Sequence, residues 1–177
     1  MPTVEIFVDE SRHGDYVLVA AVVTAGDLGR AKKVMRSLKP ANRDRVHMHD
    51  EGRSSRAKII AEFIRQRPVS SALVFTAPIR GRAERQVRTE LLRALTRKAV
   101  ELGANRILIE SCAQDKQDRA AVLEVLVPLR AHDRVAVVVD APRSNEMLWA
   151  ADIIAWCYTH RDPKLAAANL VEVIPLE

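Results

Sequence analysis

Aromatic side chains are scarce in this sequence: Phe, Trp and Tyr make up 4% of its 177 residues. A hydrophobic core must therefore be assembled from Val, Ile, Leu and Ala. Cysteine is as sparse. Cys112 and Cys157 stand far apart with no Cys-x-x-Cys spacing, which points to free, buried thiols in a reducing compartment. The amino terminus enters a strand without a basic-then-apolar leader, so a cytoplasmic location is the expectation. The most apolar helix candidate contains Asp152 and falls short of the ~20 apolar residues that a bilayer span requires. No internal repeat, low-complexity tract or linker breaks the chain, and its length suits one domain, residues 1–177, with a sizeable core.

What is present is an ordinary globular share of hydrophobic residues, 48%, with 28 basic against 23 acidic side chains and a net charge of +5. The sequence pI is near 9.6. That balance suits an anionic partner such as nucleic acid, DNA or RNA, and equally a soluble protein rich in surface arginine. A homodimer is entertained as the assembly.

The chain is organised around Thr3 to Ser11. Val4, Ile6 and Val8 alternate with Glu5 and Phe7, the period of a strand. Phe7 gives the second face apolar character, as in a strand near the centre of a sheet. The pattern stops at Asp9-Glu10-Ser11. Carboxylates at the carboxyl ends of central strands sit where open α/β sheets place their ligand crevice. Two later strands end the same way, one at Glu110 and one at Asp140.

Arg12 to Asp15 reads as a hairpin turn with Gly14 supplying a positive φ, followed by a buried strand from Tyr16 to Thr24. Asp27 is placed as the N-cap of a helix ending before Pro40. Arg45 to His49 is a short strand candidate, and Ser54 or Ser55 caps a helix that stops before Pro68. A strand over Ser71 to Ile79 precedes a long amphipathic helix, Arg82 to Leu102, closed by Gly103. Helices from about Asp118 to Leu126 and about Ser144 to His160 flank the last strand. The tail from Lys164 carries too weak a pattern to assign. The fold class expected is α/β, a mixed β-sheet flanked by α-helices.

On the last helix, Leu148, Trp149, Ala155 and Trp156 share a side with Asp152 at about 100° per residue. A lone carboxylate on such a face is costly unless it is paired or metal-bound. Metal or catalytic use of Asp152 is preferred here over an arginine ion pair. Asp9, Glu110, Asp140 and Asp152 then form a candidate acidic cluster. Carboxylates gathered closely take up protons unless divalent cations neutralise them. Mg²⁺ and Mn²⁺ prefer oxygen ligands, and ions ~4 Å apart can clamp both oxygens of a phosphodiester displacement.

Glu10 alternates away from Asp9 and is given a structural or outer role. His47 and His49 project together from the strand candidate. Without a third nitrogen or sulfur ligand nearby, His47 fits better as a general acid or phosphate contact than as a zinc ligand. Glu51 is placed with the acids from the following loop. Arg80, Arg82, Arg85, Arg88, Arg93 and Arg97 stud the strand exit and the long helix. A phosphate-tracking face is one reading; with Glu84, Glu90 and Glu101 interspersed, they are read as a solvated face. Ser11 lacks a nucleophile elbow. Cys112 follows an acid, which raises its pKa, so neither serves as a nucleophile.

Asp9-Glu10-Ser11, His47 with Asp50-Glu51, Glu110-Ser111 and Leu148-Trp149-Ala150-Ala151-Asp152 together resemble the bacterial proteins grouped as "domain of unknown function 3800". That family is similar in pattern to the ribonuclease H-like, integrase-like superfamily. The resemblance runs from Asp9 to about Tyr158. It implies a ribonuclease H-like sheet and metal-dependent nucleic-acid hydrolysis, with Asp9, Glu110 and Asp152 at the acidic positions. Arg12 stands where the common form has Gly, and Trp149 where it has Gln; neither change removes an acid. On this reading Asp9 bridges two Mg²⁺ or Mn²⁺ ions, Glu110 and Asp152 each complete one site, and Asp140, Glu51 and His47 assist from the rim. The rivals are a non-catalytic nucleic-acid- or protein-binding module of a defence or mobile-element system, and a small-molecule phosphohydrolase.

Overall fold

The computed structural model describes residues 2–177. Six strands form one mixed sheet: β1 (Val4–Ser11), β2 (Tyr16–Thr24), β3 (Ser71–Ala77), β4 (Ala104–Glu110), β5 (Ala136–Asp140) and β6 (Val171–Pro175), in the order β5-β4-β1-β2-β3-β6. β1, β2 and β3 pair antiparallel in succession. β4 runs parallel to β1, β5 parallel to β4, and β6 parallel to β3. The strand that opens the chain is thus internal to the sheet, and the strand ends carrying Asp9, Glu110 and Asp140 share one edge.

Alternation divides the core between the two faces. Phe7, Val19 and Leu108 point to one side and pack with α1 (Leu28–Leu38), α2 (Arg53–Gln66) and α5 (Met147–Thr159). Ile6, Val8, Leu18 and Ile107 point to the other and pack with α3 (Glu84–Glu101) and α4 (Asp115–Leu126). Phe7 and Asp9 therefore share a face, and Val8 and Glu10 share the opposite one. Gly14 turns the β1–β2 hairpin at φ 81°, and Gly103 ends α3 at φ 76°, positions that an L side chain occupies only with strain.

Three sequence expectations are corrected. Arg45 to His49 forms no strand. Val46 and Met48 do alternate into the core, but as an extended segment leading into a 3₁₀ turn over Met48–Asp50. Burial, not sheet pairing, produced that pattern. Gly52, not Ser54 or Ser55, occupies the N-cap of α2, and the Ser55 hydroxyl donates to Glu51 at 2.8 Å. The unassigned tail is ordered as α6 (Pro163–Ala167), where Asp162 accepts from the Lys164 amide at 2.9 Å, and as edge strand β6. Among the described residues, no helix is long and apolar enough to cross a membrane.

Candidate functional site

Val8 lies opposite Ile109, and Glu110 opposite Asp140. Asp9 and Glu110 are therefore neighbours at the ends of adjacent parallel strands and, by alternation, face α5. That helix packs across β1 and β2 with Met147 to Ala151, Ile153 to Ala155 and Cys157 buried. Its length of apolar surface fixes its orientation and brings Asp152 over the strand ends. Asp9, Glu110 and Asp152 line one cleft of about 230 Å³, with Arg12, Arg45 and His47 among its other walls. Trp149 closes one side, its indole held by a 2.6 Å bond from Nε1 to the Pro142 carbonyl.

Charge compensation at these acids is incomplete. Among the described residues, no Lys, Arg or His nitrogen lies within 4.0 Å of an oxygen of Asp9, Glu110 or Asp152. Asp9 accepts from the following amide, Glu10 N, at 2.7 Å. Burial, then the adjoining Glu110 carboxyl and the charge of Asp152, push Asp9 well above the usual carboxylate range. Burial also raises Asp152, to about 6, against the opposing pull of the Met48 amide, which donates to its Oδ2 at 2.8 Å. The charges of His47 and Arg45 act in the same lowering direction. The answer to how Asp152 is carried on an apolar face is thus a backbone amide and distant charges. No arginine ion pair serves it.

His47 lines the cleft, and its Nδ1 bonds the Asp50 carboxylate at 2.9 Å. A carboxylate can only accept, so Nδ1 carries the proton and Nε2 is left for another partner. The ring of His49 lies 6.2 Å from that of His47. Asp140 is in register with Glu110 but does not line the cleft; its Oδ1 accepts from the Ala141 amide at 2.8 Å. Glu51 is not with the acids. It is buried, 3.3 Å from Arg43 Nε, because the turn after Met48 directs it toward α2.

The opposite face of the same strand end carries a closed network that the sequence reading missed. Arg88, buried in α3, donates through Nε and Nη2 to both oxygens of Asp118 at 2.9 and 2.8 Å, and through Nη1 to Glu10 and to the Tyr16 hydroxyl. Arg88 is therefore no part of a solvated helix face. Glu10 has the structural role its alternation indicated.

One group of ligand-type atoms comes within 4.8 Å of one another among the described residues: Cys112, Asp115 and Asp118. That spacing is one a metal ion could use. Its oxygens are nevertheless engaged, Asp118 by Arg88 and Asp115 by the Cys112 amide at 2.6 Å and the Ser111 hydroxyl at 2.7 Å. Cys112 is exposed, against the expectation that both thiols are buried, and Cys157 alone is buried. What burial Cys112 has chiefly pushes its thiol up, away from the thiolate that metals and electrophiles require.

No family model matches the chain, and no curated protein is similar to it in sequence. Solved structures do match. The ribonuclease H2 of Pyrococcus horikoshii OT3 superposes with a TM-score of 0.55 at 15% identity, covering 94% of this chain and 77% of that one. The RNase HII of Archaeoglobus fulgidus, in its complex with PCNA, does so with a TM-score of 0.55 at 16% identity, covering 94% and 76%. The fold is ribonuclease H-like. In this ribonuclease H-like chain the acids described above sit at the carboxyl end of an internal strand and on the helix that crosses it.

Proposed function

We propose that this chain is a metal-dependent nuclease that hydrolyses phosphodiester bonds at the Asp9–Glu110–Asp152 cleft, and that it belongs with the bacterial family of unknown function 3800. The observation that carries the reading is the convergence of three carboxylates from three elements on one cleft without a cationic partner, while an arginine-rich chain pairs its acids elsewhere. The donor set fits Mg²⁺ or Mn²⁺: it is all oxygen, and the mutual repulsion of the acids is what a divalent ion relieves.

Asp9, Glu110 and Asp152 would together hold the ions at the cleft they line. Such ions supply Lewis acidity to the phosphoryl oxygens and lower the pKa of water. The remaining steps belong to the chain. Arg12 and Arg45 hold the flanking phosphates at the cleft wall. His47, its Nδ1–H fixed on Asp50, would in its doubly protonated form give the Nε2 proton to the departing oxygen and be reprotonated from solvent, while the attacking water releases a proton to solvent. Water adds to phosphorus, the P–O bond breaks, and a phosphate monoester and an alcohol result.

The test is cleavage of labelled single- and double-stranded DNA and RNA, beside mononucleotide esters, in Mn²⁺, Mg²⁺ and EDTA. Metal-dependent cleavage of oligonucleotides that Asp9→Asn abolishes is expected. Turnover of mononucleotide esters alone would make the protein a small-molecule phosphohydrolase. Binding of nucleic acid with no cleavage in any metal would make it a binding module.

A further inference from the structure

Beyond Asp152, the α5 helix carries side chains for which the proposed hydrolysis has no use. Trp156 and His160 follow Asp152 at i+4 and i+8, about 6 and 12 Å farther along the axis at ~1.5 Å per residue. The His160 ring stacks on Trp156 with centroids 4.0 Å apart and planes within 11°. His160 Nδ1 bonds the Trp156 carbonyl at 2.9 Å. A carbonyl only accepts, so Nδ1 holds the proton and Nε2 is left unengaged. Arg56 lies over Trp156, its Cζ 5.0 Å from the ring centroid, and is held there by the Met48 and His49 carbonyls at 2.8 and 3.2 Å. From the hairpin, one residue beyond the cleft-lining Arg12, His13 brings its ring to 5.7 Å from His160 at 44°. His13 and His160 are exposed. Among the described residues, none of Arg56, His13 and His160 has a carboxylate within 4.0 Å.

We infer that Trp156, His160, His13 and Arg56 form a shelf that binds a single-stranded nucleic-acid segment running out of the acid cleft, its bases stacking on the two histidines and its phosphates meeting Arg56. This rests on the nuclease reading for what occupies the cleft. The chemistry favours a polymer carrying both planar groups and phosphates. A simple anion has no use for stacked π faces, and an acidic peptide offers charge without flat rings. Base stacking on aromatic platforms tolerates any sequence, so the shelf adds affinity and strand direction without sequence preference. From Trp156 to His160 it spans ~6 Å of helix axis, room for about two stacked nucleotides at ~3.4 Å each.

The experiment uses an Asp9→Asn parent, which cannot turn over, in EDTA at low salt. Fluorescence anisotropy compares a labelled oligothymidine with an abasic oligomer of equal length and charge. The parent should bind oligothymidine at least fivefold more tightly than the abasic strand. His13→Ala/His160→Ala, its fold checked by circular dichroism, should lose at least fivefold for oligothymidine and no longer discriminate. Equal binding of the two strands by the parent overturns the shelf, as does a double variant that keeps both affinity and preference. Failure of the parent to bind either strand removes the shelf, while metal-dependent cleavage by the unmodified protein decides the nuclease reading separately. Loss of discrimination in the double variant, with no metal-dependent cleavage by the unmodified protein, keeps the shelf and removes only the nuclease.

Discussion

Replacing Asp152 with Asn should stabilise the metal-free protein. The Asp152 carboxyl is raised from 3.8 to about 6, first by burial and then, more weakly, by the Glu110 charge. Between these two values the native state binds more protons than the unfolded chain, so stability falls as pH rises. The stabilisation is fully present below about pH 4 and is lost as pH passes through about 6. At about 1.36 kcal/mol per pH unit, holding Asp152 ionised costs the folded state roughly 3 kcal/mol near pH 7.5. Asn keeps an oxygen for the Met48 amide and carries no charge. The variant should therefore melt higher than wild type near pH 7.5 by about 6–12 °C, at ~2–4 °C per kcal/mol for a chain of this size. The two melting curves should converge near pH 4. Thermal melts by circular dichroism across pH 4–8 in EDTA measure this directly. A loss of ~3–5 kcal/mol in the variant near pH 7.5 is the signature of a broken buried ion pair, and it would refute the claim that no arginine compensates Asp152.

Millimolar Mn²⁺ should raise the melting temperature of wild type but leave that of Asp9→Asn almost unmoved; equal shifts in differential scanning fluorimetry would place any bound ion elsewhere. Arg88→Ala, which strands the buried Asp118 and unpairs the half-buried Glu10, should cost about 3–5 kcal/mol in urea denaturation, and a loss below ~1 kcal/mol would deny the network its structural role. Oligonucleotide affinity led by Arg12, Arg45 and Arg56 should fall with a log–log salt slope near −2, at ~0.7 per phosphate contact on a single strand. Affinity unchanged between low and moderate salt would rule out a phosphate-led interface.

The strands and helices that alternation and 3.6-residue periodicity could reach were legible: β1, β2, β4, α3 and α5 lie where the sequence places them, within a few residues. What escaped was pattern without a single cause. Val46 and Met48 alternate because both are buried, and a period of two does not distinguish a paired strand from an extended segment lying on the core. β6 escaped because an edge strand of five residues, mostly exposed and closed by Pro175, gives too short an alternation, Val171 and Val173 about Glu172, to identify a strand. Arg88 was legible and was passed over. It precedes Leu91, Leu92 and Leu95 at i+3, i+4 and i+7, just as Asp118 precedes Ala121, Val122 and Val125. Opposite charges at the heads of two apolar stripes announce a buried ion pair between the helices, and counting the arginines of α3 as one solvated set concealed it.

The end of β1 sets two acids in opposite electrostatic situations one residue apart. Glu10, turned toward α3 and α4, meets Arg88 and Tyr16. Asp9, turned toward α5, meets Glu110 and the field of Asp152. Alternation alone separates them, yet the consequences diverge. Uncompensated carboxylates in a partly buried cleft destabilise the fold, and this chain has 28 basic residues from which a partner might have come. It uses them to neutralise Glu10, Asp118 and Glu124 and, among the described residues, spares none to pair with Asp9, Glu110 or Asp152. On the proposed nuclease reading a hard divalent cation would relieve their repulsion with the donors already in place, so the unpaired acids favour that reading more than the strand order that brings them together does.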